Sequence, residues 1–212
     1  MFTRNERGWS LVAAGVLIII TGIYTVYSNA LTDSVNSQQV NQGALLGGIA
    51  LLSVISTGLI IFGLPAIQSA QPKTGQLGQT GLYLLAASYI TNALPFALAA
   101  YSAVYIFPGQ DASALSGSGP VAMLVNLLGI LGLISLVLGV GYLITGWVTF
   151  KAGIFPAWVG WSLMVAHALQ MIPLVSNYLS LIPGLLLIPA LLDSAAWIGY
   201  GWHLAHMRPG KK

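Results

Sequence analysis

Six long apolar runs set the limits on what this chain can fold into. They occupy 9–28, 43–66, 82–106, 122–149, 155–174 and 183–205, and short polar connections separate them. A bilayer core of about 30 Å is crossed by about 20 apolar helical residues, so each run is long enough to span. In hydrocarbon every backbone N–H and C=O must be bonded within its own segment or within a closed barrel, and long runs without alternation fit helices. The predicted class is all-α: a polytopic transmembrane bundle of six spans, forming one integral membrane domain over 1–212. Composition agrees, because 57% hydrophobic with 5% charged residues lies far from the roughly 25% charged of a soluble domain.

The basic residues predict orientation. Arg4 and Arg7 precede the first run, Lys73 lies between the second and third, Lys151 between the fourth and fifth, and Arg208, Lys211 and Lys212 follow the sixth. All fall on one side of a six-span topology, whereas the loops 29–42 and 108–120 carry Asp33 and Asp111 and no Lys or Arg. The positive-inside rule therefore predicts a multi-pass cell-membrane protein with both termini cytoplasmic. Trp9, Trp147, Trp158, Trp161 and Trp202 fall near cytoplasmic ends and Tyr27, Tyr105 and Tyr178 near outer ends, as interfacial belts do. Trp197, Tyr89 and Tyr142 fit no belt and are expected to pack deeper. The first run exceeds the apolar core of a signal peptide and is expected to remain as an anchor.

No polar stretch is long enough to bury a soluble core, so any activity is expected in or at the bilayer. The scattered basic residues argue against nucleic acid. The absence of Cys removes thiolate metal sites and disulfides. There is no His-Glu-x-x-His motif, no phosphate-binding glycine loop with its Lys and no pair of intramembrane Asp residues. The expectation is accordingly of no metal, no cofactor and a non-enzymatic protein.

A few polar residues stand out against the apolar runs. Asp193 is nearly central in the sixth run, Asn92 near the middle of the third and His167 slightly outward in the fifth, with Gln170 one turn beyond it. Asn126 lies farther out in the fourth. A charge at mid-membrane costs about 2.5–3.5 kcal/mol on insertion scales, so such groups face the bundle interior and take a partner. His167 is the ionisable residue at a depth comparable with Asp193, which predicts a contact between them completed by Asn92 or Gln170. Such a centre is either a protonatable relay or ligand site, or a hydrogen-bonded lock between helices. Pro95 and Pro189 lie beside Asn92 and Asp193 and are expected to bend their helices.

Near the last helix's end, His203 and His206 share a face with the tail residues Arg208, Lys211 and Lys212 beyond them. These are expected to meet lipid headgroups. Small residues four apart, Gly43 with Gly47, Ser135 with Gly139, Ala195 with Gly199 and Gly201 with Ala205, predict close helix packing.

The segment "GYLITGWVTFKAGIFPAWVGWSLMVAHAL" and the later "LLLIPALLDSAAWIGYG" carry Gly141, Tyr142, Leu143, Gly153, Pro156, Gly160, Trp161, Pro189 and Ala190. In this pattern the C-terminal third resembles a family of bacterial six-helix membrane proteins described only as a domain of unknown function. The resemblance implies a six-helix bundle and supplies no catalytic residue. The acidic residue that follows Pro-Ala in that family is spaced differently from Asp193. The leading functional expectation is a membrane protein that binds or moves a small ligand, lipid or proton through the Asp193, His167 and Asn92 centre. Alternatives are an accessory subunit of a larger membrane complex or a homo-oligomer, and an intramembrane enzyme or haem or pigment carrier using His167.

Overall fold

A computed structural model describes residues 2–34, 42–101, 130–131, 133–171 and 187–207. Among these the chain is all-helical, with six α-helices: α1 Arg4–Ser34, α2 Gln42–Ala70, α3 Gly75–Tyr101, α4 Val140–Ala152, α5 Ala157–Met171 and α6 Leu187–His206. Each predicted run overlaps one of them, with ends that differ by several residues. Three stretches, Arg4–Val26, Gly47–Ala70 and Leu133–Ala152, are long and apolar enough to cross a membrane, which marks the chain as a membrane protein. Asn126, the loop 108–120 and the tail residues Arg208, Lys211 and Lys212 lie outside the described residues.

Local chemistry sets the helix ends. Thr3 and Glu6 form a capping box at the start of α1, in which the Thr3 amide donates to Glu6 Oε2 at 2.7 Å and the Glu6 amide donates to Thr3 Oγ1 at 3.2 Å. This satisfies two amides at the helix start. A 3-10 turn, Pro72–Thr74, joins α2 to α3. Gly153, left-handed at φ 62°, ends α4, a conformation that glycine adopts without a Cβ penalty.

The helices form a closed ring, α1 to α6 in chain order, with α6 returning against α1. Short connections, 71–74 between α2 and α3 and 153–156 between α4 and α5, place those pairs side by side. Side chains are sorted as hydrocarbon requires. Leu51, Leu133 and Val137 are 62–71% exposed on the outside, whereas Ser88, Thr145, Thr149, His167, Asp193 and Ser194 are buried within. An apolar exterior around a partly polar interior suits lipid as the solvent.

Ring closure depends on small residues. Gly8, Gly15 and Gly22 recur every seven positions along α1 and lie against α6. A Cβ at Gly8 would meet the Ala205 nitrogen and the Gly201 oxygen at 2.8 Å, and one at Gly15 would meet the Ser194 oxygen at 2.8 Å. Ser194 Oγ donates to the Gly15 carbonyl at 2.7 Å across this seam. Gly201 and Ala205, predicted as a small-residue pair, therefore admit α1. Gly199 instead admits Trp158 and Val159 of α5, and Gly47 has no neighbour within 4 Å.

Gly15→Ala is expected to destabilise the bundle by about 1–3 kcal/mol, the usual cost of overpacking. Gly47→Ala should leave stability unchanged or raise it by up to about 1 kcal/mol through helix propensity. Thermal unfolding of the two variants in one detergent checks the pair.

Candidate functional site

Asp193, on the inner face of α6, is held by two aromatic donors. Tyr89 of α3 donates its hydroxyl proton to Asp193 Oδ2 at 2.6 Å. Trp197, four residues along α6 and so on the same helix face, donates its indole N–H to the Tyr89 oxygen at 2.6 Å and to Asp193 Oδ1 at 3.0 Å. An indole nitrogen has one hydrogen, so these last two contacts share it. The result is a triangle in which both carboxyl oxygens accept and the Tyr89 hydroxyl both accepts and donates. Tyr and Trp suit this position because each joins a large apolar body to one polar atom. The same atoms fasten α6 to α3.

The aromatic chain continues across the interior. Tyr142 of α4 packs against Tyr89 with ring centroids 5.3 Å apart. On its other side Tyr142 stacks on the His167 imidazole of α5, with centroids 4.7 Å apart and ring planes 6° from parallel. Gly139 makes room for this imidazole, since a Cβ there would overlap the His167 ring. The backbone also tightens at this point. The Tyr142 amide donates to the Gly139 carbonyl three residues back at 2.9 Å, so the helix before Gly139 and α4 after it meet in a short turn. Neither His167 nitrogen has a hydrogen-bond partner, although the residue is 3% exposed.

The expected direct contact between Asp193 and His167 is not made. Asp193 bonds to Tyr89 and Trp197, and the Tyr89 and Tyr142 rings connect the carboxyl to the imidazole. Asn92 and Gln170, expected to complete the hydrogen bonding, are exposed on α3 and α5. Pro189 is buried on α6 and α3 is helical through position 95. His203 packs against Phe155 at 5.4 Å between centroids. His206 is exposed beside Trp202, with ring centroids 4.2 Å apart and its Nδ1 2.8 Å from the Trp202 carbonyl.

Two more polar groupings lie in the interior. Ser88 of α3 and Ser135, in the helical stretch before α4, exchange hydroxyl-to-carbonyl bonds at 3.1 and 3.3 Å. Nearer the ends that carry Lys73 and Lys151, the Gln71 amide Nε2 donates to Thr149 Oγ1 at 3.2 Å, and Thr149 shares a 2.7 Å hydrogen bond with the Tyr200 hydroxyl. Sequence reasoning marked Ser135 only as a small packing residue and passed over the others, because single hydroxyls are ordinary in membrane helices and Gln71 falls at a loop. Tyr89, Tyr142 and Trp197 carried a clearer signal: aromatic residues with a polar atom, placed away from both interfaces. Among the described residues no group of three or more His, Asp or Glu could hold a metal ion.

Removing the Tyr89 hydroxyl leaves Asp193 Oδ2 without its donor, while the Trp197 N–H keeps Oδ1. Tyr89→Phe and Asp193→Asn are each expected to cost about 1–3 kcal/mol, as an unsatisfied buried group does. In a double-mutant cycle they should couple by about 0.5–3 kcal/mol. Additive losses in detergent unfolding would show that the two groups do not act together.

The chain matches no family model, no curated protein and no solved structure, so its function rests on this geometry.

Proposed function

We propose that the chain is a six-span membrane protein with both termini cytoplasmic, and that its interior carries protons through the line His167, Tyr142, Tyr89 and Asp193. The observation that carries this reading is the His167 imidazole, buried with both nitrogens unpartnered at one end of a line that finishes on a carboxyl. Buried polar atoms are paired in more than about 90% of cases, to protein or to ordered water. An imidazole always offers a donor, and its neutral form offers an acceptor too. A water or another small hydrogen-bonding molecule at these nitrogens would complete the site. Imidazole and carboxyl are groups that take up and release protons, and Tyr142 and Tyr89, each with a hydroxyl, stand between them.

The six-span, both-ends-in topology is supported by the one-sided distribution of Lys and Arg and by the closed ring of helices in chain order. Because the chain has no Cys, single cysteines report topology cleanly. Lys73→Cys should react with an impermeant thiol reagent only from the cytoplasmic side, and Asp111→Cys only from outside. The opposite pattern, or labelling of both from one side, contradicts the topology. In that orientation His203, His206, Arg208, Lys211 and Lys212 would face anionic headgroups at the cytoplasmic surface.

A second reading is favoured by the completeness of the Asp193 hydrogen bonds. In it the triangle is a lock that holds an accessory membrane subunit together and conducts nothing. Proton flux into proteoliposomes under a potassium diffusion potential separates the two. Wild-type protein should acidify the lumen faster than empty vesicles, and Asp193→Asn should slow this at least tenfold. A wild-type rate equal to that of empty vesicles leaves the lock as the account of the site.

A further inference from the structure

The polar interior does not stop at Asp193. Along α4, Tyr142, Thr145 and Thr149 are spaced three and four apart, so they share a helix face. Along α6, Asp193, Trp197 and Tyr200 do the same. The upper members meet at the Asp193 centre. The lower members, Thr149 and Tyr200, join Gln71 close to the helix ends that carry Lys73 and Lys151. Seven residues of helix separate the two groups, about 10.5 Å of rise, and a hydrogen bond between oxygens covers only about 2.8 Å.

Thr145 divides that gap. It stands about 4.5 Å along the axis from Tyr142 and about 6 Å from Thr149. Two hydrogen bonds through one water cover about 5.6 Å, more than the rise to Tyr142, and two waters cover the longer rise to Thr149. Its hydroxyl is 2% exposed and has no partner. It faces Gly81 of α3, where a Cβ would come to 2.8 Å from Ile144 Cγ2 and 3.0 Å from Thr145 Oγ1, so glycine is what lets α3 approach this hydroxyl so closely. Among the described residues the buried side-chain polar atoms without partners are Arg7 Nε, Thr145 Oγ1 and the two His167 nitrogens. All but Arg7 Nε belong to the interior file. The Asp193 centre is thus flanked on both sides by groups whose hydrogen bonds are open.

We propose that Thr145 is the relay step of a water-lined path that joins the Asp193 centre to the Lys73 and Lys151 end through Thr149, Tyr200 and Gln71. The proposal rests on the proton-carrying reading above. In each transfer the Thr145 oxygen accepts a proton from one water while its own hydroxyl proton passes to the next. The hydroxyl ends uncharged, and rotation about the C–O bond resets it.

The test is proton flux in proteoliposomes for Thr145→Val, which keeps the shape and removes the hydroxyl, and Thr145→Ser, which keeps the hydroxyl. Thr145→Val should lower flux at least tenfold, and Thr145→Ser should stay within about twofold of wild type. Gly81→Ala, which crowds the same hydroxyl from α3, should also lower flux, and it serves where the valine variant does not fold. Normal flux in Thr145→Val or in folded Gly81→Ala, alongside loss in Asp193→Asn, overturns the path and leaves the centre standing. No flux from wild-type protein overturns both.

Discussion

A carboxyl group inside a membrane bundle must be given hydrogen-bond donors, and the arrangement of these helices follows from how Asp193 obtains them. Its donors come from Trp197 on its own helix and Tyr89 on α3, so α6 is pinned to a helix that is not its neighbour in the ring. Tyr89 then positions Tyr142, and Tyr142 positions His167 by stacking. Four of the six helices contribute to one buried polar chain. Ser194, the next residue along, reaches in another direction to bond the Gly15 carbonyl of α1. In this way α6 ties the interior centre to the closure of the ring.

Lipid tails are as apolar as leucine, so helix association in a membrane relies on close packing and on polar contacts. Both appear here, and they are divided by location. Glycines at the α1 and α6 seam bring backbones together, while hydroxyls, an indole, a carboxyl and an imidazole occupy the interior. Gly139 serves both ends at once: its missing side chain admits His167, and the short backbone turn there aligns Tyr142 with the imidazole. A buried network is stable when every member is satisfied, and it invites another molecule where members are not. The Asp193 triangle is of the first kind. His167 and Thr145, on either side of it, are of the second.

The all-helical class and the rough place of each described helix were legible in the apolar runs, three of which hold stretches of spanning length. Asp193 and His167 were legible for the same reason: hydrocarbon tolerates few ionisable groups. Their partners were harder to read. A search for a counter-charge leads from Asp193 to His167, whereas the donors are a phenol and an indole, residues whose size makes them look like core. Tyr89, Tyr142 and Trp197 were marked only by failing to fit an interfacial belt. Asn92 and Gln170 had suitable depth but lie on outward faces, and residue spacing within one helix cannot say which face a neighbouring helix will cover. The seven-residue glycine spacing on α1 was missed because small pairs were sought four apart.

The central claim is that the Asp193 triangle communicates with water in the folded state. The indole N–H of Trp197, bonded to both Tyr89 and Asp193, reports this directly through hydrogen-deuterium exchange, with its resonance assigned by comparison with Trp197→Phe. An interior that carries protons predicts exchange at least tenfold faster than that of the most protected backbone amides, which open only with global unfolding. Exchange of the indole proton at the same rate as those amides would contradict the account, because it would make the triangle a sealed lock.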